Sequence, residues 1–459
     1  MIRCVYVLLF LSFQAFASDK PNILFMIADD WSAPHAGALG DRTVKTPTFD
    51  FLADNGINFS NAFVTAPSCS PCRAAILSGQ HHWRLNGAAN LGGAIKADVP
   101  LFTDILKANG YEVAKLGKGH WPATHRFRKE TPLPKHKHFK KFLNERDKNK
   151  PFFFWFGGED PHRHYDKGSG VRSGIIAAKI DLPMGWPDSP EIRSDICDYY
   201  FEVKRFDKLC GDHIELLKKH NLLDNTLIIM TSDNGMPFPR AKATLYDLGT
   251  KVPLAIYWKG KVIGNRTLSD FVSLHDLTPT FLELAGVKVP ETMNGKSIKN
   301  LLFSSDSGRV DASRDFVLTG MEGHVEFNPQ RAIRTDDFLL IRYDYKGKWP
   351  VAKSDYNYNI DPSPSKSFVM DKRHEASVAN FYKLAFGARA KWELFDLKKD
   401  PGQVKNVAEN PEYKAVLEEL KTRLNKELLK SGDPRESGNG ELFERERRAT
   451  GEWNRKNKK

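Results

Sequence analysis

Short, uninterrupted apolar runs punctuate the first half of the chain. Residues 22–27 read NILFMI, 152–156 read FFFWF and 227–230 read LIIM. Runs of this length with no polar alternation predict strands buried on both faces, as in a parallel sheet. Residues 111–115 and 253–258 predict further extended segments. Between them lie helical patterns. Thr46 and Pro47 supply an N-cap and first helical position, and Gly56 closes that helix. Residues 101–109 form a second helix, broken by Gly110; 193–220 a long third; and 274–285 a fourth, stopped by Gly286. The alternation predicts an α/β fold, with a mostly parallel sheet covered by helices on both faces.

The tail follows another rhythm. Residues 338–345 and 392–397 predict strands, and Tyr413, Val416, Leu417, Leu420, Leu424 and Leu428 mark one face of a helix. A smaller α+β unit, an antiparallel sheet with a packed helix, is expected over 316–440, after a main domain at 18–315. Residues 346–390 are rich in Lys, Ser and Tyr and predict a long loop system. The charged stretch 441–459 predicts a solvated extension.

The 459 residues carry 41% hydrophobic and 27% charged side chains, an ordinary globular balance, with a net charge of +12. A basic surface attracts polyanions. Nucleic acid is one such polyanion and a sulfated glycan another; no nucleic-acid module such as a helix-turn-helix or an RNP motif is recognisable. Residues 1–17 combine Arg3, an apolar core and Ala15-Phe16-Ala17, the layout of a secretory signal peptide. Export to a periplasm, a secreted fate, or a lysosomal route in a eukaryote follows, with no membrane anchor. The mature chain keeps Cys69, Cys72, Cys197 and Cys210. The last two fall about 20 Å apart on one helix, too far for a disulfide, and read as buried thiols. The basic run 126–150 reads first as a solvated surface helix and second as a glycan-binding strip.

The chemistry concentrates at Cys69-Ser70-Pro71-Cys72-Arg73, a C-x-P-x-R pattern followed by Gly79. Pro71 suits a first helical turn, which leaves Cys69 at a helix N-terminus, where backbone N–H groups favour anions. Arg73 lies one turn on and can return to the same spot. Cys69 and Cys72 also form a C-x-x-C, but a zinc site needs a second such pair and none exists. Asp29-Asp30 and Asp233-Asn234-Gly235 each follow an apolar strand, where open α/β sheets bind ligands. Singly each also fits a turn. Together they form an oxygen-rich set suited to Ca²⁺ or Mg²⁺. His81, His82 and Arg84 follow the Cys69 segment and could line its pocket.

The C-x-P-x-R stretch closely resembles the signature of the type I sulfatases, members of the alkaline phosphatase superfamily. Most of the chain is similar to that family, especially its sulfamidase (N-sulfoglucosamine sulfohydrolase) branch, through Asp160-Pro161-His162-Arg163, Ser232 to Pro239, Gly323-His324-x-Glu326 and Trp392 to Asp396. The resemblance implies an alkaline-phosphatase-like fold and a hydrolase for O- or N-sulfate groups of saccharides. It implies that Cys69 is converted to formylglycine by a formylglycine-generating or sulfatase-maturating enzyme. Asp29, Asp30, Cys69, Asp233 and Asn234 would be metal ligands, with Arg73, Lys118, His120, His162 and Lys242 catalytic. Arg163, His324 and Glu326 would contact the sugar. Cys72 and Lys242 depart from the sulfamidase pattern, which has Ser and Arg there. The alternatives are a phosphatase or phosphodiesterase of the same superfamily, and an inactive polyanion-binding protein.

Overall fold

A computed structural model describes residues 20–119, 131–344 and 359–448. Among the described residues, thirteen strands form three sheets. Those of the first half are β1 (Asn22–Ala28), β2 (Ile57–Phe59), β3 (Ala62–Phe63), β4 (Glu112–Gly117), β5 (Phe152–Gly157), β6 (Thr226–Ser232), β7 (Leu254–Tyr257), β8 (Arg266–Leu268) and β9 (Val272–Ser273). The main sheet runs β4-β5-β1-β6-β7-β2-β8. It is parallel except for β7, which opposes both β6 and β2. The expected mostly parallel sheet is therefore present. The two-residue strands β3 and β9 pair separately.

The apolar runs are continuous because both faces are covered. Leu24 and Met26 of β1 point to one core, with Phe152, Phe154 and Phe156 of β5. The helix Pro190–Lys219 closes that side with Ile196, Tyr199, Val203 and Phe206. Ile23, Phe25 and Ile27 point the other way, with Phe153 and Trp155, against Ile76 and Leu77 of the helix Cys69–Ser78 and against Phe281. Each such side chain contributes about 1.5–3 kcal/mol through burial. Cys197 and Cys210 lie on the long helix as buried free thiols. The helix Pro47–Asn55 begins where Thr46 and Pro47 predict, but Thr46 does not cap it; Asp207 accepts from the amides of Thr48 and Phe49 at 3.0 and 2.8 Å.

The tail forms an antiparallel sheet of β10 (Phe316–Gly323), β11 (Phe327–Thr335), β12 (Phe338–Tyr343) and β13 (Trp392–Asp396). Leu417, Leu420, Leu424 and Leu428 of the helix Lys414–Lys430 pack on Leu318, Ile333, Leu340 and Leu394. The opposite face packs on Ala243, Leu245 and Tyr246, just beyond Lys242. Two expectations are corrected. The described part of 346–390 holds the helices Pro364–Asp371 and Ala376–Phe386, which bury Val369, Phe381 and Phe386 on the main core. Residues 441–448 are helical, and fully buried Phe443 joins the tail core with Trp83. The basic run contributes one short helix, Phe139–Glu145, whose Phe139 and Phe142 are buried. Residues 1–19 and 449–459 lie outside the described residues, as do the signal-peptide reading and the end of the charged tail. No helix among the described residues is long and apolar enough to cross a membrane.

His81, His82 and Arg84 turn away from the Cys69 pocket. His81 stacks on Trp83 and meets His275, with ring centroids 4.4 and 4.2 Å apart. Both ring nitrogens of His82 and Nε2 of His275 are buried and have no hydrogen-bond partner among the described residues. Burial, then Arg331 beside His82 and Arg314 near His275, push both pKa values down, that of His275 to about 3. Their folded pKa values lie below the unfolded value near 6.5. Below that pH the unfolded chain takes up protons that the folded chain refuses. Stability is expected to fall with pH from about 6.5 downward, by about 1.4 kcal/mol per pH unit for each such histidine. Denaturant unfolding from pH 7.5 to 5 checks this: His82→Gln should flatten the slope, and an unchanged slope counts against it.

Candidate active site

Strands β1, β4, β5 and β6 are parallel neighbours, so their C-terminal ends open on one edge of the sheet. Asp29 and Asp30 leave β1, Lys118 leaves β4 and Asp233 and Asn234 leave β6. Asp30 sits at φ +76, a left-handed turn that few non-glycine residues adopt. Its amide donates to Asp233 Oδ1 at 3.2 Å. One carboxylate oxygen each from Asp29, Asp30 and Asp233 falls within 4.8 Å of the others. All three side chains are buried.

Cations surround this cluster. Arg73, wholly buried, donates from Nε to Asp233 Oδ2 at 2.6 Å and from Nη1 to the Lys118 carbonyl at 2.7 Å. Gly157 makes room for this: a Cβ there would lie 1.7 Å from the Lys118 oxygen. Lys118 pairs with Asp29. Lys242 donates to Asp30 Oδ2 at 2.8 Å and to Asp361 Oδ2 at 2.9 Å. Burial opposes ionisation of Asp29, but Lys118, Arg73 and their neighbours outweigh it and hold the carboxyl below its usual range. Asp233 goes the other way, pushed up by burial and by the charge of Asp29.

The donor set fits a hard divalent cation. Among the described residues, Asp29 Oδ1 and Asn234 Oδ1 are buried acceptors with no hydrogen-bond partner. The Asn234 amide is oriented by donation from Nδ2 to Asp30 Oδ1 at 2.6 Å and to the Gly235 carbonyl at 2.9 Å, which leaves its oxygen to the cluster. Orphaned buried oxygens beside paired carboxylates are what Ca²⁺ or Mg²⁺ satisfies. Charge argues likewise. Arg73, Lys118 and Lys242 face Asp29, Asp30, Asp233 and Asp361, so the cluster alone repels a sulfate; a divalent ion reverses the sign.

Cys69 begins its helix beside this cluster. Ser68, extended at φ −157, precedes it, and the Cys72 amide donates to the Ser68 carbonyl at 3.0 Å. Burial pushes the Cys69 thiol pKa up, against the pull of Lys118, and Asp29 and Asp233 add to the rise. A thiol held protonated is a poor nucleophile at neutral pH. Burial also raises Cys72, and no bond joins the two. A cavity of about 480 Å³ opens over Cys69, Ser70, Arg73 and Lys118.

His162 presents Nε2 to Asp30 Oδ2 at 3.9 Å, while its Nδ1 lies 2.6 Å from the Arg163 carbonyl. His324 Nδ1 meets Ser68 Oγ at 2.8 Å; burial and then Lys242 push its pKa down to about 3. Glu326 is half-buried, and its amide donates to Asn359 Oδ1 at 2.7 Å. Arg163 does not serve as a sugar contact. It is buried, its Nη1 and Nη2 each donate to Asp195 at 2.8 Å, and its guanidinium lies 4.4 Å from the ring centres of Tyr165 and Phe238. His120 lies outside the described residues. Asp361 has no counterpart in the sequence reading; only an acidic residue beside a Pro-Ser stretch marks it.

The sheet and the helices that cover it have the alkaline-phosphatase-like fold of the sulfatase class. The sulfatase family model matches residues 21–287, and the model for the N-sulphoglucosamine sulphohydrolase C-terminal region matches 240–383 and 353–430. The chain belongs to the sulfatase family and is a sulfuric ester hydrolase. An ulvan-active sulfatase of Formosa agariphila is 28% identical over 416 residues, covering 88% of this chain and 79% of the relative. The N-sulphoglucosamine sulphohydrolase of Homo sapiens is 28% identical over 468 residues, covering 90% and 91%. A solved complex with the substrate D-glucosamine-2-N,6-O-disulfate shares the fold, with TM-score 0.68 and 21% identity over 90% of this chain and 98% of that one.

Proposed function

We propose that this chain is an exported sulfatase that removes O-sulfate or N-sulfate groups from saccharides, using a formylglycine made from Cys69 and a divalent metal. The observation that carries the reading is the meeting of Arg73 with three buried carboxylates beside Cys69, together with two buried acceptor oxygens that have no hydrogen-bond partner among the described residues. The names of the relatives support a saccharide substrate. Residues 1–17 supply the export signal, and a formylglycine-generating or sulfatase-maturating enzyme is the partner that reads the C-x-P-x-R stretch.

Asp29, Asp30, Asp233, Asn234 and residue 69 would hold the ion, Ca²⁺ or Mg²⁺, which neutralises sulfate charge and polarises its S–O bonds. A hydrated aldehyde at residue 69 would supply one hydroxyl to displace the saccharide oxygen or nitrogen from sulfur and a second whose deprotonation would expel sulfate and restore the aldehyde. Arg73 fixes Asp233 and the Lys118 loop, so the ligand set is held before substrate arrives. Lys118 and Lys242 donate to sulfate oxygens. His162 Nδ1–H is held by the Arg163 carbonyl, which aims Nε2 into the pocket. From there the protonated ring donates to the departing oxygen or nitrogen. His120 is the base for the closing step.

Mass spectrometry of the tryptic peptide holding residue 69, from a host with the maturing enzyme, tests the reading: an aldehyde is expected, and an unmodified thiol contradicts it. His162→Ala should lower kcat/KM for sugar sulfates by about 10²–10⁴ and far less for aryl sulfates, whose leaving groups need no proton. Equal losses on both would remove the acid role.

A further inference from the structure

The cavity over Cys69 continues past Lys118 to a second pair of cations, Lys115 and Lys135, with exposed Glu159 also on its wall. Lys115 belongs to β4, and the segment carrying Lys135 lies alongside that strand. Lys115 donates from its amide to the Pro134 carbonyl at 2.8 Å and accepts at its own carbonyl from the His136 amide at 2.8 Å. The backbone thus fixes the two lysines side by side. The Lys115 amine folds over Gly119, where a Cβ would lie 3.0 Å from Nζ, so the glycine preserves its space.

These two differ from the other cations of the pocket. Arg73 has Asp233, Lys118 has Asp29 and Lys242 has Asp30 and Asp361. Among the described residues neither Lys115 nor Lys135 forms an ion pair; the Lys115 amine reaches only the Gly117 carbonyl, at 3.5 Å. Burial, with Arg73 and Lys135 nearby, pushes the Lys115 pKa down. Unpaired like charges held together in a half-closed cavity are unfavourable until an anion joins them.

We infer that Lys115 and Lys135 form a second anion subsite, which takes a further sulfate or carboxylate group on the saccharide whose scissile sulfate lies at residue 69. This rests on the saccharide sulfatase reading above. The substrate class it selects is a multiply charged saccharide rather than a singly sulfated one. Charge-assisted hydrogen bonds to a partly desolvated anion give discrimination of about tenfold or more.

The test uses the matured enzyme and matched saccharides with the same scissile sulfate: one otherwise neutral, one with a second sulfate, one with a neighbouring uronate. The ratio of kcat/KM for a doubly charged substrate to that for the neutral one is expected to exceed about ten. It should fall about tenfold in Lys115→Met and in Lys135→Ala, the latter an exposed position where folding is not at stake. The ratio of Kd values on the Cys69→Ala chain, by calorimetry, should fall in step. The arm that responds identifies the anion. A wild-type ratio near one, or ratios unchanged in both variants, overturns the subsite. No turnover of any saccharide by aldehyde-bearing enzyme instead refutes the saccharide reading, and the subsite with it.

Discussion

Cys69→Ala is expected to lower sulfate-ester turnover by at least about a thousandfold, while the chain still folds and binds a divalent ion. A methyl group offers neither a nucleophile nor a group to be oxidised. The fold should survive because the Cys69 side chain is only half-buried at a helix N-terminus, and the cores flanking the sheet do not include it. Initial rates on an aryl sulfate, with thermal unfolding of the same sample, check both parts. Turnover near that of the unaltered chain would remove Cys69 from the chemistry.

Arg73→Leu should affect both stability and activity. Arg73 and Asp233 are an ion pair with no exposure of either side chain, joined at 2.6 Å. Removing one member of a buried pair leaves the other charge uncompensated, at a cost of about 3–5 kcal/mol. The guanidinium also donates to the Lys118 and Ala28 carbonyls, so its loss frees two of the loops that carry the cluster. Denaturant unfolding should record the loss more strongly after metal removal, because a bound cation shares the charge of Asp233. Turnover should disappear with it. A variant as stable as the parent in chelator would contradict this account of the pocket.

Those residues were legible in the sequence for physical reasons. Strands covered on both faces must be apolar throughout, so β1, β5 and β6 stand out, and the polar residues that end them fall at the sheet edge. The apolar pattern therefore places Asp29, Asp30, Asp233 and Asn234 at that edge, and the Cys69 signature is what turns them from turn residues into ligands. Other features left no such trace. Strands of two or three residues, such as β3 and β9, have no period to detect. Asp361 lies in an aperiodic stretch, and what makes it part of the pocket is Lys242, 119 positions away. Arg163 follows His162 directly, which suggests a shared pocket. Its direction is set by Asp195, 32 residues on along the long helix. The dense charge of 441–448 hides the one residue, Phe443, that anchors it.

The central claim is that a divalent ion and a converted residue 69 share one pocket at the carboxyl edge of the sheet. A crystal structure of chain matured in a competent host and grown with Ca²⁺ tests it most directly, through anomalous scattering from the ion. The account predicts one ion coordinated by Asp29, Asp30, Asp233 and Asn234, with an oxygen of residue 69 about 2.3–2.6 Å from it. An ion bound elsewhere, or an intact thiol at 69 turned away from those carboxylates, would contradict it.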